Sequence, residues 1–364
     1  MSTTTFSIEN AAAALASLRL NPSPAPAAAA AGSSSSSLLE RAPLRPTGAL
    51  DKYKKSDLTP VLGTQFREVQ LPDLLTADNA DELLRELAIT VFFKDQTRKL
   101  SNDEMKLLAN KLGQLSGRPA ESGLHIHPTE HIPDLELSPI TTSFIKRDPG
   151  TSMLADKGWH ADITFEPFPS DFAILNMWSL PENGGDTLWA SAYEAYDRLT
   201  PAMAKFLEGL TAVHDGNGFH SRAQKLGVKL HEGPRGHPQN VGADLKTVHP
   251  VIRTNPVTGW KGLFVNSAFT TRIVELNRDE SDLLLDYLFK LVSLNHDLQV
   301  RFKWNVNDVA IWSNSSSFHN VTIDYEGMEV RKGNRTVSLG EKPYFDPASK
   351  SRREALGLPA WISD

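Results

Sequence analysis

The tripeptide His160-Ala161-Asp162 places an imidazole and a carboxylate two residues apart. Side chains at positions i and i+2 of a β-strand share a face, so these two groups could bind one metal ion together. Two histidines and one carboxylate on one face of an octahedron suit non-haem Fe(II) and leave three positions open. With 11 histidines and 44 acidic residues in the chain, about one such pair is expected by chance. A structural His–Asp hydrogen bond is therefore an equal alternative at this point.

A further histidine and two arginines follow a strand-like run. His319 comes after Val309–Trp312, and Arg331 and Arg335 come after His319. Arginines four residues apart are usually solvated surface charges, but Arg335 opens the run Arg335-Thr-Val-Ser-Leu339, which has the pattern of a strand. If both arginines point inward, each offers a planar, permanently charged fork suited to an oxyanion.

The composition restricts the chemistry further. The chain has no cysteine, which excludes disulfides, zinc ribbons, iron–sulfur clusters and thiol nucleophiles. Any metal must then be held by His, Asp, Glu or backbone oxygen. The net charge of -6 would repel a phosphate backbone, so we expect no nucleic-acid partner. The longest uncharged stretch, Leu20 to Leu39, is rich in Pro, Ala and Ser, so we expect no membrane span.

Residues 1–48 differ from the rest of the chain. They are rich in Ala, Ser and Pro and hold five charged side chains, a composition that predicts a disordered N-terminal tail. A mitochondrial transit peptide is an alternative, but one Arg before residue 41 is too few for it, and we expect a cytoplasmic protein. The economical prediction is one catalytic domain over residues 49–348, followed by a peripheral C-terminal segment, residues 349–364.

The sequence predicts both helices and strands around these side chains. Ser101-Asn-Asp-Glu104 is a capping box that predicts a helix closed by Gly113. Thr200-Pro201 predicts the start of a second helix, and residues 279–294 predict a third. Short strand-like runs separated by Gly, Asn and Pro turns cover 91–93, 172–178, 251–253, 263–266, 300–304, 309–312 and 336–339. These runs predict a mainly β fold, a double-sheet barrel with the longer helices packed outside.

The chemistry-bearing residues lie in a series of motifs: Leu124-His-Ile-His127-Pro128, Trp159-His160-Ala-Asp162, Gly184-Gly-Asp-Thr187-Leu-Trp, Leu263-Phe-Val-Asn-Ser-Ala-Phe269-Thr-Thr-Arg272, Asn307-Asp-Val-Ala-Ile-Trp312, His319 and Arg335-Thr-Val-Ser-Leu-Gly-Glu-Lys-Pro343. In this order, between Ser101 and Phe345, they resemble the taurine dioxygenase family of 2-oxoglutarate-dependent oxygenases. The resemblance implies an α+β fold, a double-stranded β-helix (distorted jelly roll) flanked by α-helices. It also implies an enzyme that uses Fe(II), 2-oxoglutarate and O2.

The resemblance implies catalytic and co-substrate residues position by position. The iron ligands would be His160, Asp162 and His319. Two further residues, Thr187 and Arg331, would bind the distal carboxylate of 2-oxoglutarate, whose keto and proximal carboxylate oxygens would chelate the iron.

The resemblance also implies a substrate pocket. Arg335 and His127, the latter best when protonated, would bind a small anionic head group with help from the backbone amide of Ile163. Phe219 and Phe269 would line the carbon chain. The implied reaction hydroxylates a small organosulfonate at the carbon bearing sulfur and releases sulfite and an aldehyde, together with succinate and CO2.

Two positions depart from taurine-specific members of the family. This chain has Glu130 where those members have a Tyr, and Asp156 where they have an Asn. Both positions serve the amine end of taurine, so the two acids would either attract an ammonium group more strongly or mark a different substrate tail.

Several alternatives stay open. The same superfamily includes enzymes that act on an alkyl sulfate or a carboxylate. The three donors would also suit a zinc hydrolase with an activated water, although a hydrolase has no use for a dicarboxylate clamp. A zinc cluster of His125, His127 and His131 is a further hypothesis. Related folds often form dimers or tetramers, so we also expect that a homo-oligomer is feasible.

Overall fold

The structure is a computed structural model that describes residues 47–87, 91–129, 132–141, 154–325 and 330–361. These residues fall within the compact unit Arg41–Asp364. The expected N-terminal tail lies outside the described residues, apart from positions 47 and 48. Within the described ranges, no helix combines the length and the apolar character that a membrane crossing requires.

The described residues form a sheet-rich α+β fold. Its strands, in chain order, are β1 (Lys55–Asp57), β2 (Thr64–Phe66), β3 (Val91–Phe93), β4 (Ser138–Thr141), β5 (Ser170–Ser179), β6 (Thr187–Ser191), β7 (Thr211–Asp215), β8 (Lys246–Pro250), β9 (Ile252–Thr254), β10 (Lys261–Leu263), β11 (Thr270–Ile273), β12 (Gln299–Phe302), β13 (Val309–Ser313), β14 (Ser317–Val321) and β15 (Lys332–Leu339). Its helices are α1 (Leu71–Thr76), α2 (Ala80–Arg85), α3 (Asn102–Leu115), α4 (Ala192–Asp197), α5 (Pro201–Leu207), α6 (Gly218–Leu226), α7 (Arg278–Ser293) and α8 (Arg352–Ala355), with a 3₁₀ turn at His296–Leu298.

The largest sheet has seven strands in the order β1-β2-β3-β13-β5-β15-β4, and smaller sheets have the orders β12-β6-β14, β11-β7-β8 and β10-β9. Pairing is antiparallel except between β2 and β3. The central strands β13, β5 and β15 come from distant parts of the chain. Residues that are far apart in sequence, such as those near positions 170 and 335, are therefore neighbours in space.

Strand β13 shows how the layers pack. Val309 and Ile311 contact a core shared with helices α1, α2 and α3, whereas Ala310 and Trp312 contact a second core that includes Trp189 of β6. This alternation follows from the two-residue period of a strand. The rings of Trp189 and Trp312 lie 5.5 Å apart. The seven-stranded sheet and the sheet of β12, β6 and β14 thus enclose one core, and helices cover the outer face of the larger sheet.

The predicted helix starts are confirmed, but one predicted end is wrong. Ser101 and Glu104 form the reciprocal capping box at the start of α3, and α3 continues past Gly113 to Leu115. The glycine that ends it is Gly117, with a φ of 80°. The Gly117 N–H donates to the carbonyl of residue 114 at 3.0 Å and the Arg118 N–H to that of Gly113 at 2.9 Å, the pattern of a Schellman cap.

Candidate active site

Two histidines face each other across a short antiparallel bridge. His160 and His319 exchange both backbone hydrogen bonds, at 3.0 and 2.8 Å. His319 lies on β14, which pairs on its other side with β6. Residues directly opposed in an antiparallel pair project their side chains to the same face, and these two imidazole rings lie 4.1 Å apart. The bridge therefore brings together two of the three residues expected as iron ligands.

Asp162 lies at the start of a buried turn, Asp162–Glu166, and not on a strand. The expectation that His160 and Asp162 share a strand face is therefore wrong, because the chain bends directly after the bridge and Ile163 takes a φ of 51°. A left-handed φ is strained for a β-branched residue, so surrounding contacts must hold the turn. The bend nevertheless carries the Asp162 carboxylate to the two imidazoles.

The ligating atoms of His160, Asp162 and His319 lie within 4.8 Å of one another, the only such cluster of three in the part of the chain that the structure describes. The Nε2 atoms of both histidines lie 3.8 Å from Asp162 Oδ1, which is longer than a hydrogen bond. His160 Nδ1 donates to the Gly158 carbonyl at 2.8 Å, so the Nε2 lone pair stays available on the side of the carboxylate. The three side chains thus offer lone pairs to a common position.

Burial and charge set the protonation states of these donors. Burial alone would raise the pKa of Asp162, but Arg335, His319 and His160 outweigh it and lower the pKa to about 2. Burial lowers the pKa of His160 and, together with the neighbouring His160, lowers that of His319 well below its usual value. An ionised carboxylate and two neutral imidazoles, in a chain with no thiolate, fit Fe(II).

Asn314, which the motifs did not single out, holds the Asp162 carboxylate in place. It accepts a hydrogen bond from the Asp162 N–H at 2.9 Å and donates one to Asp162 Oδ2 at 3.3 Å. Its own amide is fixed by Ser170 Oγ at 2.7 Å and Trp312 Nε1 at 3.2 Å. Oδ2 thereby accepts from Asn314, whereas Oδ1 faces the imidazoles and accepts from Arg335 Nη1 at 2.6 Å. The sequence signal was the polar run Ser313–Ser317 directly after an apolar strand, which is buried in the structure.

Two more polar side chains fix the rest of the turn. The hydroxyl of Thr164 contacts His214 Nδ1 at 2.9 Å and accepts from Asn266 Nδ2 at 3.1 Å. The carboxylate of Glu166 accepts two parallel hydrogen bonds from Arg235. Three residues of the turn, Asp162, Thr164 and Glu166, are therefore polar and buried, and each is bonded to a different part of the structure. These bonds hold Ile163 in its strained conformation.

Arg331 and Thr187 lie together, as their expected shared role requires. Arg331 is buried; its Nη2 lies 3.3 Å from Thr187 Oγ1, and its Nε donates to the Gly185 carbonyl at 3.1 Å. Gly184 and Gly185 both have positive φ, 81° and 70°. A Cβ on Gly185 would lie 3.0 Å from Arg331 Cδ, so glycine lets the guanidinium lie close against this turn. A buried guanidinium beside a hydroxyl is suited to a carboxylate.

Arg335 and His127 are the two side chains expected to bind an anionic head group. Arg335 Nη1 donates to Asp162 Oδ1 at 2.6 Å, and its buried Nε has no hydrogen-bond partner among the described residues. His127 Nδ1 accepts the Thr129 N–H at 3.2 Å, so the neutral ring carries its proton on Nε2. Burial and the neighbouring His125 and Arg335 lower the pKa of His127 well below its usual value. The structure therefore favours a neutral His127 that donates from Nε2, instead of the protonated ring expected from the sequence.

Three phenylalanines form a chain of ring contacts between His127 and His160. Phe219 lies 4.8 Å from the ring of His127, and Phe269 lies 5.9 Å from the ring of His160. Phe165 packs between them, at 5.4 and 5.2 Å. The two phenylalanines expected along the substrate chain thus belong to one aromatic cluster that extends from His127 to His160.

The residues expected at the far end of the substrate are described only in part. Asp156 Oδ2 pairs with Lys157 at 3.2 Å, whereas its buried Oδ1 has no hydrogen-bond partner within the described ranges. Glu130 lies outside the described residues. His131, the third member of the hypothetical zinc cluster, also lies outside them.

Comparison with known proteins identifies the family. Residues 54–337 match the sequence model of a protein family described as "Taurine catabolism dioxygenase TauD, TfdA family". The chain belongs to this family. An alpha-ketoglutarate-dependent dioxygenase, esdpJ, of Penicillium shearii is 42% identical over 368 residues, which is 87% of this chain and 97% of that protein. An alpha-ketoglutarate-dependent sulfonate dioxygenase of Saccharomyces cerevisiae is 33% identical over 303 residues, 81% of this chain and 69% of that protein. The crystal structure of a taurine dioxygenase from Burkholderia xenovorans has the same fold, with a TM-score of 0.63 and 24% identity over 82% of this chain and 94% of that one.

As a TauD/TfdA family member, the chain is a 2-oxoglutarate-dependent dioxygenase that uses Fe(II), 2-oxoglutarate and O2. The three donors alone would also have allowed a zinc hydrolase, and the family membership decides against it. The names of the relatives differ in what they say about substrates: the Penicillium protein is described only by its co-substrate, whereas the yeast protein is described as acting on sulfonates.

Proposed function

We propose that this dioxygenase hydroxylates a small, taurine-like organosulfonate at the carbon that bears sulfur, so that the product releases sulfite and an aldehyde while 2-oxoglutarate yields succinate and CO2. The observation that carries the proposal is the guanidinium of Arg335, which lies in hydrogen-bond contact with the donor carboxylate Asp162. A sulfonate is anionic at any biological pH and Arg is permanently cationic, so the two can pair beside the metal position. The yeast sulfonate dioxygenase at 33% identity supports this substrate class.

In this proposal His160, Asp162 and His319 hold Fe(II), and Thr187 and Arg331 hold the distal carboxylate of 2-oxoglutarate. When bound, the iron and its co-substrate supply the oxidising chemistry that breaks a C–H bond. The protein keeps the donors ready for this role. The hydrogen bond from His160 Nδ1 to the Gly158 carbonyl leaves Nε2 free to bind metal, and the lowered pKa of Asp162 keeps its carboxylate ionised.

The substrate is held by groups that do not change charge. Arg335 offers its unpartnered Nε, and neutral His127 offers its Nε2–H to the same anionic head, with the amide of Ile163 as a third donor. The wall of Phe219 and Phe269 contacts the carbon chain and keeps water away from the reacting carbon. An oxidising site needs both orientation of its target and exclusion of solvent.

Asp156 supports a substrate that ends in an ammonium group. Its Oδ1 is buried without a hydrogen-bond partner among the described residues, and a buried carboxylate oxygen gains from a cationic donor. Glu130 would add a second acid at this end. An amino-sulfonate such as taurine matches both charges, one at each end of the pocket.

The finer architecture is part of the same proposal. The two opposed sheets around Trp189 and Trp312 support a distorted jelly roll. The catalytic domain covers residues 49–348, after an Ala/Ser/Pro-rich N-terminal segment, 1–48, and before a peripheral segment, 349–364. We further propose a cytoplasmic enzyme that assembles, if at all, as a homodimer or homotetramer.

The test is to measure sulfite and succinate after incubation of the purified protein with Fe(II), 2-oxoglutarate, ascorbate and a candidate substrate. We expect sulfite and succinate in equal amounts with taurine or another alkyl sulfonate, and loss of both when Arg335→Gln is used. Release of sulfate from alkyl sulfates, or succinate formation with aryloxy carboxylates alone, would assign one of the alternative substrate classes. Succinate at background with every sulfonate would contradict the proposal.

A further inference from the structure

A buried arginine outside the donor set connects the two sides of the site. Arg235 and Glu166 are each 1% exposed. Arg235 Nε donates to Glu166 Oε1, and Nη2 donates to Oε2 at 3.0 Å. The remaining Nη1 donates to the carbonyls of His231 and Gly242, at 3.0 and 2.9 Å. A bidentate pair with this many bonds has one defined geometry, so Arg235 fixes its loop, residues 231–242, against Glu166.

The same loop is bonded to the segment that carries His127, at both ends of that segment. The His231 N–H donates to the Pro128 carbonyl at 2.8 Å, and the Gly123 N–H donates to the Gly236 carbonyl at 2.8 Å. Strand β15 holds the same segment through the His125 N–H, which donates to the Val337 carbonyl at 2.9 Å. The loop and β15 therefore position His127 together.

The other partner, Glu166, ends the turn that begins with Asp162. Its backbone N–H donates to the Ile163 carbonyl at 3.0 Å, and its backbone carbonyl accepts from His249 Nε2 at 3.0 Å. The carboxylate of Glu166 also lies 3.7 Å from His125 Nε2, two residues before His127. The Arg235–Glu166 pair thus joins the anion-binding side of the cavity to the metal-binding side.

We propose that Arg235 and Glu166 are positioning residues that fix the distance between His127 and Asp162, and with it the distance between the substrate carbon and the metal. This inference rests on the proposed function. A displacement of about 1 Å between reacting groups can reduce the rate of their reaction by about a hundredfold. Hydroxylation takes two electrons from the substrate C–H bond and therefore needs that carbon in place, whereas 2-oxoglutarate and O2 can also be converted to succinate, CO2 and water when ascorbate supplies the two electrons. Loss of the pair should therefore uncouple succinate formation from sulfite release.

The control is a second Arg–Glu ion pair with a buried arginine, which has a single contact in place of the two parallel hydrogen bonds. Arg253 and Glu341 form an ion pair with side chains 2% and 14% exposed, and they join β9 to the residues that follow β15. Replacing both partners of a buried pair by apolar residues of similar size removes the charges without leaving one unpaired. The test variants are R235K, which keeps the charge and loses the fork, and the double variant R235M/E166L. The control is R253M/E341L.

We expect the ratio of succinate to sulfite, close to one in the wild type, to rise about fivefold or more in R235K and R235M/E166L and to stay near one in R253M/E341L. The affinity of the apoprotein for Mn(II) should change less than twofold in all of them, because Asp162 is held separately by Asn314. A ratio near one in both Arg235 variants, or an equal rise in the control, would overturn the inference.

Amide hydrogen exchange separates this inference from the proposed function. If the wild type releases no sulfite from any sulfonate, the substrate assignment fails, and the positioning role is then judged without substrate. Faster exchange of the Gly123 and His231 amides in R235K, but not in R253M/E341L, would uphold the link between the two segments. Unchanged exchange at both amides would refute it.

Discussion

The metal side and the substrate side of this site are built in different ways. On the metal side, His160 and His319 are fixed by a backbone bridge, and Asp162 is held by Asn314 at both its N–H and its carboxylate. On the substrate side, His127 lies in a segment without regular secondary structure, and Asp156 pairs with Lys157, a side chain that is 68% exposed. The backbone thus imposes the geometry of the donors. In the proposed function the substrate anchor Arg335 also lies on a strand, β15, whereas His127 and Asp156 lie in connections. Connections can change without disturbing the donors.

The largest effect should come from the metal side. His319→Ala removes one of three protein donors, and we expect the affinity of the apoprotein for Fe(II) or Mn(II) to fall by more than about 100-fold, beyond the usual effect of an outer-shell partner. Succinate formation should fall to background. Metal titration of the apoprotein measures the first effect. The surface variant His296→Ala is the control, and metal affinity unchanged in His319→Ala would remove this ligand assignment.

Replacing Arg331 tests whether this side chain binds 2-oxoglutarate. Arg331→Gln leaves the distal carboxylate of 2-oxoglutarate without its buried cation, a change of about 3 kcal/mol, so the KM for 2-oxoglutarate should rise roughly 100-fold while the KM for the sulfonate stays within about threefold. Thr187→Val keeps the cation, removes one hydroxyl donor to the carboxylate and leaves Trp304 Nε1 without its acceptor. It should raise the same KM by about tenfold, less than Arg331→Gln. Equal effects of the two variants on both KM values would argue against a dedicated carboxylate clamp.

Replacing Asn314 tests whether the hydrogen bonds that hold Asp162 in place contribute to metal affinity. Asn314→Ala frees Oδ2 and the N–H of Asp162, and we expect metal affinity to fall about tenfold to thirtyfold, as for outer-shell partners of metal ligands. Ser315→Ala is the matched control, because Ser315 lies in the same buried turn and accepts from Asn255 at 2.7 Å instead of contacting Asp162. Equal losses in both variants would mean that the turn, and not the bond to Asp162, sets the affinity.

The metal side and the substrate side also differ in how much of each could be predicted from the sequence. The family motifs pointed to His160, Asp162, His319 and Thr187, and Arg331 lies between the last two motifs. The structure places the three donors together and Arg331 beside Thr187. The apolar runs 91–93 and 309–312 predicted β3 and β13 well, because these strands are buried on both faces. The run 336–339 matched only the second half of β15.

The features that could not be predicted from the sequence depend on contacts between segments that are distant in the chain. Arg235 and Glu166 are 69 residues apart and belong to no motif, and each alone reads as a surface charge. The bend after His160 is held by side chains from several elements, so a local strand rule predicted the wrong conformation at Asp162. The end of α3 was misplaced for a related reason: only the cap geometry distinguishes Gly117 from Gly113.

The smallest effect concerns His127, on the substrate side. Its pKa lies well below the usual 6.5 because of burial and neighbouring positive charge, so the ring stays neutral from pH 8 down to pH 6, and Nε2 remains a donor throughout. The KM for the sulfonate should therefore change less than about twofold over this range. If binding required an imidazolium, the KM would instead rise steadily as the pH increased through 6.5. His127→Gln can donate from a similar position and should stay within about threefold of the wild type, whereas His127→Leu should lose about 1 kcal/mol, or roughly fivefold. A steep pH dependence that disappears in His127→Gln would show that the charge of this ring, and not only its N–H, selects the substrate.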